Sequence, residues 1–170
     1  MAGYGLPNEQ HLSVVLQNNL SLEGHNIEVI NGSVSGSTTA GGLNIAEWTL
    51  SENNIDLMIL CLGANDMLRG INPKETKNNL IEIIKIAKSK NIKVIIAGMI
   101  APTSHGSNYK KSFDKIFEDL SNEYELQLIP FLLEGVAQKP EFNLSDGMHP
   151  NDKGTIIIGK TLKEAILKNL

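Results

Sequence analysis

Short runs of β-branched and aliphatic residues alternate along this chain with longer stretches whose apolar residues recur at helical spacing. This alternation is typical of βαβ units, in which a helix connects two parallel strands. The runs 55–62 and 92–97 are apolar at nearly every position, as expected for parallel strands that are covered on both faces. The sequence therefore predicts the α/β class with a parallel sheet.

The pattern predicts four strands and five helices. The strands are expected at residues 27–30, 55–62, 92–97 and 126–130. The helices are expected over residues 7–23, 43–50, 73–87, 109–120 and 156–170. The clearest helix start is at Asn72 and Pro73, which combine a capping side chain with a fixed φ, and Glu75 follows in the first turn.

Length and composition exclude several classes of protein. The chain has 170 residues, 41% hydrophobic and 20% charged, which predicts one globular domain over residues 1–170. A net charge of −4 without a long Lys or Arg run argues against a nucleic-acid partner. No apolar run approaches the roughly 20 residues that span a bilayer, so no integral membrane segment is expected. Nothing in the composition indicates the oligomeric state.

A loop rich in Gly, Ser and Thr follows the first predicted strand, at residues 31–42. The spacing from Gly36 to Gly41 suggests a phosphate-binding loop. However, Gly42 stands where such a loop needs lysine, so a nucleotide site is disfavoured.

A second loop, at residues 63–70, places Asn65 and Asp66 directly after the strand expected at 55–62. Ligands of open α/β sheets bind outside the carboxyl ends of the strands, where such side chains lie. Taken alone, this loop favours an Asx turn over a functional site.

A third loop places Asp146 three residues before His149, just ahead of the last helix. A carboxylate at this spacing can hold an imidazole in one tautomer and leave its other nitrogen free as a general base. The alternative is that Asp146 is a turn residue and His149 a helix-entry residue. The sequence has no His-Glu-x-x-His or Cys-x-x-Cys spacing, so neither a metal nor another cofactor is expected.

Together these loops resemble conserved blocks two, three and five of the SGNH (GDSL) hydrolases, in the branch of bacterial arylesterases, acyl-CoA thioesterase I and lysophospholipase L1. The matching strings are Asn31-Gly32-Ser33-Val34-Ser35-Gly36, Gly63-Ala64-Asn65-Asp66 and Asp146-Gly147-Met148-His149-Pro150-Asn151. The resemblance implies a three-layer α/β/α fold with a flavodoxin-like parallel sheet, in the strand order 2-1-3-4-5.

The resemblance also implies roles for individual residues. Gly36 would offer its backbone N–H, and Asn65 its side-chain amide, to an oxyanion. His149 would be the general base and Asp146 its orienting partner. The expected activity is hydrolysis of short to medium acyl esters or thioesters through an acyl-enzyme, without a cofactor. Ser37 stands where the family often has Asp, a difference that bears on substrate preference.

The family's first block, Gly-Asp-Ser-Leu, has no counterpart in these 170 residues. In the family it ends the first strand, a few residues before a string that corresponds here to Ala2–Pro7. The expectation is therefore an N-terminally shortened hydrolase domain that lacks the first strand and the nucleophilic serine. Ser33, Ser35 and Ser37 are poor substitutes, because none stands in a Gly-x-Ser-x-Gly elbow.

Three other functions remain open from the sequence. The chain could be a non-catalytic protein that binds acyl or sugar ligands, a carbohydrate O-deacetylase of the same superfamily, or a flavin-binding doubly wound domain. The location in the cell depends on whether a signal peptide precedes Met1. With one, the protein would be periplasmic or secreted, and without one, cytoplasmic.

Overall fold

A computed structural model describes residues 3–51 and 54–169 of the chain. Its helices are α1 (Leu12–Leu22), α2 (Thr39–Thr49), α3 (Ala64–Leu68), α4 (Pro73–Ser89), α5 (Ser107–Tyr124) and α6 (Asp152–Leu167). Its strands are β1 (Leu57–Leu60), β2 (Lys93–Ala97) and β3 (Gln127–Ile129). The α/β class is confirmed, as are all five predicted helices and three of the four predicted strands. Met1 and Ala2, next to the missing first block, lie outside the described residues.

The three strands form one parallel sheet in the order β1-β2-β3. Ile59 is in register with Ile95, and Ile96 with Leu128. This arrangement agrees with the last three positions of the expected strand order. The middle strand, β2, is buried from Val94 onward and is the one strand of the described residues that has a partner on each side.

The strand predicted at residues 27–30 is not formed, and this prediction was wrong. The backbone there pairs with a side chain of α1 and with no strand. Val29 N donates to Gln17 Oε1 at 2.7 Å, and Gln17 Nε2 donates to Ile27 O at 2.9 Å. Ile30 is 61% exposed. The segment has the composition of a strand but no neighbouring strand to pair with, so one glutamine amide satisfies part of its backbone.

The chain divides into two compact units, one of residues 1–35 with 132–170 and one of residues 36–131. In the first unit α1 packs against α6, where a Cβ on Gly159 would lie 3.3 Å from Val15. The second unit contains the sheet, with α4 and α5 packed against it. The expectation of a single domain stays a prediction.

The core of the second unit includes a row of aromatic rings along α5. Phe113 stacks on Tyr109 with 5.9 Å between ring centroids and meets Phe117 edge-on at 5.8 Å. Both phenylalanines are buried. Each buried ring stabilises the fold by about 1.5–3 kcal/mol through loss of apolar surface from water. This core supports the segment after β1. A Cβ added at Gly63 would lie 3.4 Å from Cζ of Phe117.

The tightest backbone approach in the second unit is at Gly98, directly after β2. Its N–H donates to Ile129 O at 2.7 Å, and an added Cβ would lie 2.3 Å from Pro130 O. Backbone atoms cannot rotate away as a side chain can. We therefore expect Gly98→Ala to cost about 2 kcal/mol, seen as a lower thermal unfolding midpoint.

Gly42→Ala is the matched control, because its added Cβ would meet the end of the flexible Leu62 side chain at 2.3 Å. Gly42 also lies inside α2, where alanine is favoured by about 1 kcal/mol over glycine. A midpoint that falls equally in both variants would contradict the close backbone contact at Gly98.

Candidate active site

The loop that carries Asp146 and His149 belongs to the first unit and is closed by backbone pairing. Asn143 and Pro150 form an antiparallel bridge, and Leu144 N donates to His149 O at 2.7 Å. The buried Asn143 side chain donates to Val136 O at 2.8 Å. The loop is thus fixed at both ends, which limits where His149 can lie.

Inside this loop, the Asp146 carboxylate accepts three hydrogen bonds. Oδ1 accepts from Met148 N at 2.8 Å and His149 N at 2.9 Å, while Oδ2 lies 2.8 Å from His149 Nδ1. The backbone N–H of His149, then that of Met148, and then the imidazole lower the pKa of Asp146 to about 2. The carboxylate is therefore ionised at neutral pH, and it favours the tautomer of His149 that carries its proton on Nδ1.

The other imidazole nitrogen, Nε2 of His149, has no protein hydrogen-bond partner among residues 3–51 and 54–169. Its lone pair is available to accept a proton. The Tyr4 ring lies against the imidazole, with 4.5 Å between ring centroids and planes tilted by 36°. Gly3 and Gly5 flank Tyr4 with φ of 71° and 73°, so a tight glycine turn presents this ring.

The other two predicted site residues belong to the second unit. Gly63 lies between β1 and α3, directly before the first residue of α3, and has φ of 124°. The Asx turn favoured for this loop is not formed, because the chain enters helix α3 at Ala64. Asn65 lies in the first turn of this helix. Its Nδ2 donates to Ser37 O at 3.0 Å, which fixes the orientation of the side-chain amide.

Gly36 lies one residue before that acceptor and has φ of 74°. Its carbonyl accepts from Arg69 Nη2 at 3.0 Å. Within the described part of the chain, its N–H is hydrogen bonded to no protein acceptor. The structure therefore brings Gly36 and Asn65 together through one short segment, with an N–H of Gly36 still available to a ligand.

Sequence reasoning assigned no role to three residues that lie near predicted site residues of their own unit. Tyr4 packs on His149, Arg69 binds Gly36 O, and Asp66 is fully buried with its carboxylate hydrogen bonded to the start of α2. Asp66 stood beside Asn65 in the matching string, which is the one sequence signal that could have marked it.

The serines of the loop after residue 30 make local hydrogen bonds. The Ser37 hydroxyl donates to Thr38 O at 3.2 Å, and Ser33 N donates to Asn31 Oδ1 at 3.0 Å. Side chains that bond to neighbouring backbone in this way stabilise the loop itself.

Among the described residues, no three His, Cys, Asp or Glu side chains are grouped so that they could hold a metal ion. The helices in the described ranges are all too short or too polar to cross a bilayer. The first unit has a cleft of about 330 Å³ lined by side chains between residues 138 and 147. Neither Asp146 nor His149 lines this cleft.

Comparison with known proteins gives the same family throughout. The model of the GDSL-like lipase/acylhydrolase family matches residues 1–155. An arylesterase of Vibrio mimicus is 36% identical over 169 residues, which are 99% of this chain and 84% of that protein. Thioesterase 1/protease 1/lysophospholipase L1 of Escherichia coli strain K12 is 33% identical over 123 residues, 72% of this chain and 59% of that protein.

Among solved structures, the psychrotrophic esterase EstA from Pseudoalteromonas sp., inhibited by monoethylphosphonate, superimposes with a TM-score of 0.93 and 30% identity. The match covers 98% of this chain and 91% of that one. This agreement confirms the SGNH hydrolase fold expected from the three sequence blocks. With a family model over residues 1–155 and a relative of 36% identity over nearly its whole length, this chain belongs to the GDSL-like lipase/acylhydrolase family.

Proposed function

We propose that this chain carries the proton-transfer pair and the oxyanion donors of a serine ester hydrolase that cleaves short to medium acyl esters or thioesters. The observation that carries the proposal is the Asp146–His149 pair, in which an ionised carboxylate 2.8 Å from Nδ1 leaves Nε2 free. A general base of this kind is what activation of a serine hydroxyl needs. Membership of an acylhydrolase family supports the same reaction class.

In the proposed reaction, a serine Oγ attacks the ester carbonyl carbon while His149 Nε2 accepts the hydroxyl proton. The carbonyl π electrons move to oxygen, and this oxyanion accepts hydrogen bonds from Gly36 N–H and from the Asn65 amide. When the tetrahedral intermediate collapses, His149 passes its proton to the leaving alkoxide or thiolate and the acyl-enzyme forms. Water, deprotonated by His149, then releases the carboxylic acid and the serine by the same route.

We propose that the nucleophilic serine lies on a strand that ends in Gly-Asp-Ser and is absent from the 170 residues. Two features of the separate units support an additional strand. Among the described residues, β1 is paired on one side only. The segment 27–30 is strand-like in sequence but bonds to Gln17 where a neighbouring strand would otherwise pair. In the expected strand order, the serine-bearing strand is the neighbour of both segments.

The names of the relatives support the substrate class. One is named an arylesterase and another thioesterase 1/protease 1/lysophospholipase L1. Of these activities, the arylesterase, thioesterase and lysophospholipase act on acyl esters or thioesters. The inhibition of EstA by monoethylphosphonate also suggests the probe for the first experiment, because phosphonates trap an activated serine.

The first experiment is intact mass measurement after exposure to an alkyl fluorophosphonate, for the 170-residue chain and for the same chain extended by an N-terminal strand ending in Gly-Asp-Ser. We expect a single adduct on the added serine and none on the chain alone. Replacing the added serine by alanine is the matched control and should abolish the adduct.

Two results would contradict the proposal. A labelled serine among residues 33–37 in the unextended chain would mean that the nucleophile comes from this loop. No label in the extended protein, although it folds, would favour a non-catalytic binding protein.

A second prediction concerns the oxyanion donor. In the extended protein, Asn65→Ala should lower kcat for an aryl acetate by about 100- to 1000-fold with little change in KM, as for loss of one oxyanion-hole donor. Asn65→Asp should be at least as impaired, because a carboxylate repels the oxyanion. Asn18→Ala, at an exposed position of α1, is the matched control and should keep full activity. An unchanged kcat in Asn65→Ala would exclude Asn65 as a donor.

A third prediction concerns pH. Asp146 should remain ionised at every pH well above its folded-state pKa of about 2, and its carboxyl carbon should titrate near that value in NMR spectra.

The lowered pKa of Asp146 also determines how this carboxylate affects the free energy of unfolding at different pH values. Because its folded-state pKa of about 2 lies below the ordinary value of 3.8, the carboxylate stabilises the fold above about pH 4 and loses this effect as the pH falls toward 2. Asp146→Asn should therefore lower the unfolding midpoint at pH 7 more than at pH 3. A carboxyl titration near 3.8, or an equal loss of stability at pH 7 and pH 3, would contradict this assignment.

A further inference from the structure

We infer that Asp66 is a positioning residue that holds the Gly36–Thr39 segment and the Asn65 side chain in a fixed relation. Its importance for catalysis rests on the proposed function, but its role in ordering the segment does not. Asp66 itself touches no candidate reacting group. It would act through Asn65, its neighbour in α3, and through the segment that carries Gly36.

The Asp66 side chain is completely buried and accepts hydrogen bonds from three donors. Oδ2 accepts from Thr39 N at 2.8 Å. Oδ1 accepts a short hydrogen bond from Thr39 Oγ1 and one from Thr76 Oγ1 at 3.2 Å. Asn79 Nδ2 in turn donates to Thr39 Oγ1 at 3.1 Å, which orients that hydroxyl. The carboxylate is thus held from α2 and from α4 at once.

No Lys, Arg or His side chain among the described residues forms an ion pair with this carboxylate. A buried carboxylate without a cation is costly unless hydrogen bonds replace its water shell. Here the donors include the first N–H of helix α2, whose N-terminus carries partial positive charge. The burial is therefore tolerated only while Thr39 stays in contact with Asp66, so the two are tightly linked in position.

This link is the buried one of three side-chain contacts that the structure describes between residues 65–69 and the segment 36–39. Asn65 Nδ2 donates to Ser37 O at 3.0 Å, and Arg69 Nη2 donates to Gly36 O at 3.0 Å. The Arg69 contact is exposed and the Asn65 contact is half-buried, so water competes for both. The Asp66–Thr39 contact is inaccessible to water and fixes the distance over which the other two can form.

The consequence concerns the spacing of the two oxyanion donors. Gly36 N–H and the Asn65 amide must converge on one oxygen atom, and a shift of about 1 Å in such a group can lower a rate by about 100-fold. If Asp66 only capped α2, its loss would lower stability and leave the order of Asn65 unchanged. If it positions the donors, Asn65 should become mobile when the anchor is removed.

The test is NMR on the 170-residue chain, which needs no activity. In Asp66→Asn, one oxygen acceptor is replaced by an amide group that cannot accept from Thr39. We expect amide hydrogen exchange at Thr39 to accelerate by about tenfold or more, and the order parameter of the Asn65 side-chain amide to fall.

Asp114→Asn is the matched control. The Asp114 carboxylate also accepts from a backbone N–H, that of Ala101 at 2.7 Å, but it lies outside the segment 36–39 and α3. This variant should leave the order of Asn65 unchanged. If Asp66→Asn does not fold, Thr39→Val provides the second route, since it removes the hydroxyl donor and keeps the carboxylate. Thr39→Ser should restore the order that Thr39→Val loses.

Kinetics of the serine-extended protein then separate the two proposals. We expect Asp66→Asn to lower kcat by about 10- to 100-fold while KM changes little. If Asn65 loses order but the extended protein never hydrolyses an ester, the positioning role stands and the proposed function fails. If the order of Asn65 is unchanged in Asp66→Asn and in Thr39→Val, or if kcat is unchanged in an active protein, the inference is overturned.

Discussion

Backbone pairing between parallel strands is the constraint on which the rest of this structure depends. Each strand presents N–H and C=O groups that must find partners, and the sheet satisfies them in proportion to the neighbours present. The middle strand β2 has two neighbours and is the most buried. Among the residues that the structure describes, β1 has one neighbour, and the segment 27–30 has none and is hydrogen bonded to a glutamine amide instead. The same composition thus gives a strand or an extended loop, depending on what lies beside it.

Two carboxylates, one in each unit, organise the predicted site residues around them, and they do so in different surroundings. Asp146 is partly exposed and accepts from backbone N–H groups of its own loop, which keeps it ionised and orients His149. Asp66 is buried and accepts from α2 and α4, which ties together segments distant in sequence. The first can therefore act on a neighbour that exchanges protons, while the second can only fix geometry. Both carboxylates accept at least one hydrogen bond from a backbone N–H, that of Met148 and of His149 for Asp146 and that of Thr39 for Asp66.

The sequence predicts interactions between residues that are close in the chain better than interactions between residues that are distant in it. The helix start at Asn72 and Pro73 and the contact of Asp146 with His149 both act within a few residues, so their spacing is visible in the chain. The strand at 27–30 could not be judged from its composition, because pairing depends on a neighbour. Tyr4 against His149 joins residues far apart in sequence, and no local pattern marks such a contact. Asp66 was conspicuous by position, yet its burial became evident only with Thr39 and Thr76 in place.

The difference between local contacts at Asp146 and long-range contacts at Asp66 also determines how the site residues tolerate substitution. The proton-transfer pair, Asp146 and His149, is held by backbone hydrogen bonds of its own loop, so its geometry is set locally. The contact that joins α2, α3 and α4, between Asp66, Thr39 and Thr76, involves no group that reacts. A substitution near His149 would therefore alter proton transfer and have little effect on the sheet. A substitution at Asp66 would leave the reacting groups unchanged but alter their positions. Separating the groups that react from the group that places them is what a site built on loops needs, since loops supply donors but little rigidity.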